Sequence, residues 1–159
     1  MKTKMKLVVV AVLVGSLAAC ASAPDRAAQD AADYGAYPAN YEELVTDAQE
    51  AVLKDPQSAQ NKYLSTPQKG FMIAAGSSTP IYGYRLCLNV NAKNSYGGYT
   101  GSKLTEVFIR NGRVTRYRSI TRDDQSLNKR IVDGCAPVMG RFDKQADAQG
   151  VLKTEPKGE

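Results

Sequence analysis

The sequence predicts an α+β fold: one main N-terminal helix packed on a three- to four-stranded antiparallel meander, with a C-terminal segment tied to the sheet by a disulfide. Three observations predict it. Tyr84, Leu86, Leu88 and Val90 alternate with Arg85, Cys87, Asn89 and Asn91, the period of a strand with one apolar and one polar face. Asn111-Gly112 separates two strand-like runs, 104–110 and 113–119, and both residues tolerate the positive φ of a tight hairpin turn. Tyr41, Leu44, Val45, Ala48 and Val52 recur at helical spacing, so one stripe of a helix is apolar.

From its start, the chain opens on a segment that reads as an address rather than as fold. Lys2, Lys4 and Lys6 flank the approach to an unbroken apolar run from Leu7 to Val14. That run is short of the ~20 apolar residues of a spanning helix and fits a signal peptide over 1–19. It ends in Leu17-Ala18-Ala19-Cys20, which resembles the lipobox of bacterial lipoproteins. The resemblance covers residues 1–20 and implies cleavage before Cys20, lipidation of its thiol and acylation of the new amino group. Several acyl chains hold a membrane firmly, where one does so only marginally. Ala21 stands where the inner-membrane retention signal of enteric lipoproteins has aspartate, so the resemblance implies a lipid anchor in the outer membrane, facing the periplasm. The alternative is an ordinary secretory signal with Cys20 unmodified.

Cleavage changes the charge and cysteine arguments. Three of the 21 basic residues and none of the 16 acidic ones lie in 1–19, leaving 18 against 16 beyond them. A chain so nearly balanced gives no support to a nucleic-acid partner. With Cys20 taken by lipid, Cys87 and Cys135 remain, an even pair in an oxidising compartment. A bridge between them closes about 49 residues and is worth about 4 kcal/mol in the chain-entropy model; the alternative is two free thiols. The chain has no histidine, and two distant cysteines are too few ligands for zinc. No metal and no cofactor are expected.

Residues 20–38 are alanine-rich with few large apolar groups and read as a flexible tether, and 39–142 as the folded domain. Asn40 with Glu43 three residues on forms a capping-box pattern for the helix, whose polar side takes Glu42, Glu43, Asp47, Gln49, Glu50 and Lys54. Asp55-Pro56 stops it, with one short turn expected over 57–62. Lys69–Ala75 fits an extra edge strand. After the meander comes a charged loop, 121–127, then one helical turn at 127–132, with Asp133–Pro137 bringing Cys135 back to the sheet. Since Cys87 projects to the polar side of its strand, the bridge is expected to lay Ile131, Val132 and Val138 across the sheet face opposite the helix. From Asp143 the chain is polar, and 143–159 reads as a disordered tail.

The pattern of reactive residues disfavours an enzyme. Without histidine there is no histidine base for a serine or cysteine nucleophile. The adjacent acids Glu42-Glu43 and Asp123-Asp124 read as solvated charges. Gly97, Gly98 and Gly101 lie between antiparallel strands, with no helix N-terminus to cradle a phosphate. A candidate binding surface remains. Tyr96 and Tyr99 flank Gly97-Gly98 beside Lys93 and Asn94, and tyrosines on an adaptable backbone give large amphipathic contact area; the alternative is that they fold back on the sheet. Arg113 and Arg116 belong to a basic stretch, 103–130, that contrasts with acid-rich 21–59. The two halves either pair with each other or hold a basic face toward an anionic envelope polymer or lipid headgroups.

The run Val90–Gly101 followed by Ile109–Arg113 resembles uncharacterised small proteins of bacterial envelopes. A helix on a three-stranded meander behind a lipid anchor is also similar in architecture to the small lipoprotein accessory of the outer-membrane barrel-assembly machinery, although that family has two helices before its sheet. The expectation is therefore a non-enzymatic binding or scaffolding lipoprotein with an envelope protein or anionic polymer as partner. The competing reading is a small envelope hydrolase built on the Asn94–Gly101 loop.

Overall fold

Strand β3 (Pro80–Lys93) is the axis of the protein. The computed structural model describes residues 23–148. Within them lie helix α1 (Arg26–Asp30), helix α2 (Tyr41–Val52), strands β1 (Asp55–Tyr63) and β2 (Gln68–Ile73), β3, β4 (Lys103–Arg110), β5 (Arg113–Ser119) and helix α3 (Gln125–Ala148). The five strands form one antiparallel sheet in the order β1-β3-β4-β5, with β2 also on β3. β2 pairs with 80–85 of β3 and β1 with 88–93, so β1 and β2 lie end to end along one edge of β3 while β4 occupies the other.

At the joint between β1 and β2 the ladder is interrupted, and a side chain takes its place. Leu64 N donates to the Cys87 carbonyl (2.8 Å) and Cys87 N donates to Ser65 Oγ (3.0 Å), so both backbone groups of buried Cys87 are paired at the joint. Ser58 does the same farther along, accepting from Lys93 N at 2.9 Å. The helical turn expected over 57–62 is therefore replaced by strand. Pro56 is accommodated because the β1 register is irregular between Asp55 and Gln60 and an edge can spare its missing N–H.

The tight turn forms as expected: Asn111 and Gly112 take φ of 51° and 68°. Two residues beyond it, β5 carries a bulge. Ile109 pairs with Val114 but Phe108 with Arg116, so Thr115 is extra, and its hydroxyl bonds the Phe108 carbonyl at 3.2 Å. A bulge exchanges the faces of every residue after it. Val114 and Tyr117, three apart, consequently pack on the same core, and Arg116 and Arg118 turn to the other side.

Each face of the sheet is covered by a helix. α2 lays Val45 on Leu86, Leu88, Val90, Val107 and Ile109. Its start and end agree with the apolar stripe, but two positions within it are reversed. Val52 is exposed and Gln49 is buried, 1% accessible, where it exchanges amide hydrogen bonds with Asn61 (2.7 and 3.0 Å) and meets the Tyr117 hydroxyl at 3.1 Å. The capping box does not form: Asn40 makes no side-chain cap and instead gives its Nδ2–H to Glu43 (3.2 Å).

On the opposite face, α3 packs Ile131, Cys135 and Val138 beside Cys87, and the Cys87–Cys135 disulfide joins them with Cα atoms 5.8 Å apart. The single turn expected at 127–132 is in fact the start of the longest helix, so α2 is neither the first helix nor the main one. Leu127, Ile131, Cys135 and Val138 form a stripe at i, i+4, i+8 and i+11 that continues through Gly134 and Pro137, and tertiary cover prevails over both breakers. Val132, expected in this layer, points away and is about half exposed. Asp124 starts α3, accepting from Leu127 N at 2.8 Å, and the helix runs on past Asp143 to Ala148; the rest of the expected tail lies outside the described residues.

The stretch read as a tether is not free from residue 23 onward. Tyr34 is 8% accessible, with its ring against Tyr82 and Tyr84 and its hydroxyl on the Gln29 carbonyl. Tyr84 OH bonds the Gly35 carbonyl, and Arg110 binds the Asp33 carbonyl at 2.9 Å and the Tyr82 carbonyl. Three tyrosines supply the apolar area that the alanines lack. Cys20, the 1–19 signal segment and the first residues of the tether lie outside the described residues.

Candidate functional site

The six residues singled out in the sequence divide among three places. Lys93, Asn94, Tyr96 and Tyr99 stay together at the end of the sheet where β3 passes to β4. Asn94 organises this loop: its Oδ1 accepts from Tyr96 N (2.9 Å) and Gly98 N (3.1 Å), while its backbone bonds Gly98 O and Gly97 N. Gly97 and Gly101 have φ of 79° and 87°, values a side chain resists. Tyr96 is 96% exposed and Tyr99 48%. Tyr99 is steadied by Lys93, whose Nζ stands 5.5 Å over its ring, and by Gln60, whose Nε2 donates to its hydroxyl at 3.4 Å. Beside it runs a surface groove lined by Asn94, Tyr99, Lys103, Thr121, Arg122 and Asp123.

Arg113 is not part of this surface. It pairs with Arg110 at the Asn111-Gly112 turn, at the opposite end of the sheet. Arg116 is elsewhere again, on the face covered by α3, because of the bulge at Thr115. It reaches across the sheet to the Ile73 carbonyl (3.3 Å).

Around Arg116 is a cluster that residue-level reading of the sequence does not assemble. Arg85 from β3, Glu106 from β4, Arg116 and Arg118 from β5 and Arg130 from α3 line one cleft of about 230 Å³ floored by Phe71, Leu127 and Ile131. Arg85 Nε lies 2.7 Å from Glu106 Oε1, an ion pair rather than an aligned hydrogen bond, since the N–H is not directed at the carboxylate. The other two nitrogens of Arg85 bond the Phe71 carbonyl (2.7 Å) and the Gly134 carbonyl (3.5 Å), so Arg85 holds edge strand, centre and α3 together. Burial first, and then the neighbouring Arg118 guanidinium, lower the pKa of Arg116, with Arg85 and Arg130 acting in the same direction and Glu106 against it. The missing signal was the bulge: a simple two-residue hairpin would have opposed Glu106 to Tyr117, not Arg118.

Among the described residues, no group of three or more His, Cys, Asp and Glu side chains is placed to hold a metal ion, and no helix is long and apolar enough to cross a membrane. No known protein family, curated protein or solved structure matches the chain.

Proposed function

We propose that the protein is a lipid-anchored component of the bacterial envelope, held in the outer membrane through Cys20, whose α+β domain binds or scaffolds another envelope component without chemical turnover. The observation that carries the binding half is Tyr96: a large amphipathic side chain, 96% exposed, on a loop already ordered by the Asn94 carboxamide. An exposed aromatic does nothing for the stability of its own domain, and ordering before contact lowers the entropy lost on binding. The anchoring half is supported by the Leu17-Ala18-Ala19-Cys20 box in the sequence and by compatibility with a disulfide-permitting compartment. The partner surface comprises Lys93, Asn94, Tyr96 and Tyr99, with Lys103 and Arg122 on the adjoining groove, chemistry suited to a protein or an anionic envelope polymer. Metabolic labelling with palmitate tests the anchor: the wild type incorporates label and sediments with outer membrane, whereas Cys20→Ala does neither. Equal labelling of the two overturns the anchor and leaves the loop to be judged on its own.

A further inference from the structure

The cleft on the α3 face is separate from the tyrosine loop and involves no residue of the lipid-anchor segment.

Four guanidinium groups and a single carboxylate line this space. Glu106 is committed to Arg85 at 2.7 Å, and Arg85 to two backbone carbonyls, so this pair explains itself as structure. Arg116, Arg118 and Arg130 are left with no paired carboxylate among the described residues. Three uncompensated like charges gathered in one concavity are unfavourable in the empty domain. The fold nevertheless goes out of its way to gather them: the bulge at Thr115 turns Arg116 and Arg118 to this side, α3 contributes Arg130, and the Arg116 side chain is held by the Ile73 carbonyl with part of its fork still available.

We infer that the cleft between β5, β2 and α3 is a binding site for a phosphate group, held by Arg116, Arg118 and Arg130. Planar guanidinium forks match the oxygens of a tetrahedral oxyanion and make charge-assisted bonds to it. The cleft volume of about 230 Å³ is below the several hundred Å³ of a site for a drug-sized ligand. It has room for a phosphate group. The phosphate is either free inorganic phosphate or the headgroup phosphate of an anionic lipid, and the two sources differ in experiment.

Calorimetric titration of the oxidised full chain with inorganic phosphate at low ionic strength is the first arm. Flotation with phosphatidylglycerol vesicles, against phosphatidylcholine vesicles, is the second. Saturable one-to-one binding is expected in at least one arm. Arg118→Gln with Arg130→Gln should weaken it on the order of tenfold or more, while Lys54→Gln with Lys62→Gln, which removes the same charge from the α2–β1 link and β1, should change it less than about twofold. Arg130 is exposed, so Arg130→Gln alone leaves the fold intact and should weaken binding in the same direction. Cleft-dependent binding of phosphate identifies the free anion, and cleft-dependent binding of vesicles alone identifies the headgroup. Absence of binding in both arms, or equal losses in the two double variants, overturns the site.

Discussion

At Gly83 a methyl group would sit 2.6 Å from the Ile109 carbonyl oxygen and 2.7 Å from Phe108 Cε1; at Gly134 it would sit 2.8 Å from Glu106 Oε1. The obstacle is backbone plus a buried ring in the first case and the end of a side chain in the second. Gly83→Ala should therefore cost about 3 kcal/mol, the upper part of the overpacking range. Gly134→Ala should cost about 1, because roughly 1 kcal/mol of helix propensity offsets part of the clash. Urea denaturation of the two variants measures the difference, and the reverse order would show that the Glu106 side chain cannot give way beneath α3. Removing one partner of a fully buried pair costs about 3–5 kcal/mol; Glu106→Gln should cost less than that, since the Arg85 side chain keeps 18% exposure. Tyr63 supplies a pH dependence. Burial, followed by Glu42 and the Tyr41 and Tyr117 hydroxyls, pushes its pKa up to about 12. The unfolded chain gives up this proton near pH 10, so the contribution to stability is intact below about pH 10 and is lost as pH rises toward 12. Tyr63→Phe should flatten the alkaline limb of the stability profile, and an unchanged limb would contradict the assignment.

Between elements, the disulfide links α3 to the central strand. Breaking it by Cys87→Ala with Cys135→Ala should cost about 2–5 kcal/mol. In hydrogen exchange α3 should lose protection first while β3 and β4 keep theirs; uniform loss would mean that the helix and sheet are one cooperative unit. This bridge, the Asn111-Gly112 turn and the strands around it were legible because each rests on local chemistry: strand alternation, two turn residues, an even cysteine pair. What was not legible depended on tertiary cover. Gly134 and Pro137 discourage a helix in isolation, yet the Leu127, Ile131, Cys135, Val138 stripe has a sheet to bury against. Gln49 reads as surface until Asn61 is brought opposite it. The candidate site divided in the same way. Lys93 to Tyr99 are neighbours in sequence and remained neighbours, whereas Arg113 and Arg116 were assigned by charge alone, and one extra residue at Thr115 decided which side Arg116 faces.

Across the whole molecule, the two ends of the sheet have different tasks. At one end residues 33–37 close over Tyr82 and Tyr84, tying the N-terminal segment to the Asn111-Gly112 hairpin through Arg110 and Asp33. At the other, the Asn94–Gly101 loop is held to β3 and β1 through Tyr99 and Thr100 and leaves Tyr96 exposed. Residues 33–37 and the tyrosine loop thus lie at opposite ends of the sheet. Tyr96→Ala with Tyr99→Ala should leave the melting temperature within about 2 °C of wild type, as expected for surface changes worth no more than ±0.5 kcal/mol. The most direct test of binding through this loop is photocrosslinking in intact cells from a photoreactive residue at position 96, with position 77 in the β2–β3 turn as control. A discrete adduct is expected from position 96 that position 77 does not give. No adduct, or the same adducts from both positions, would contradict it.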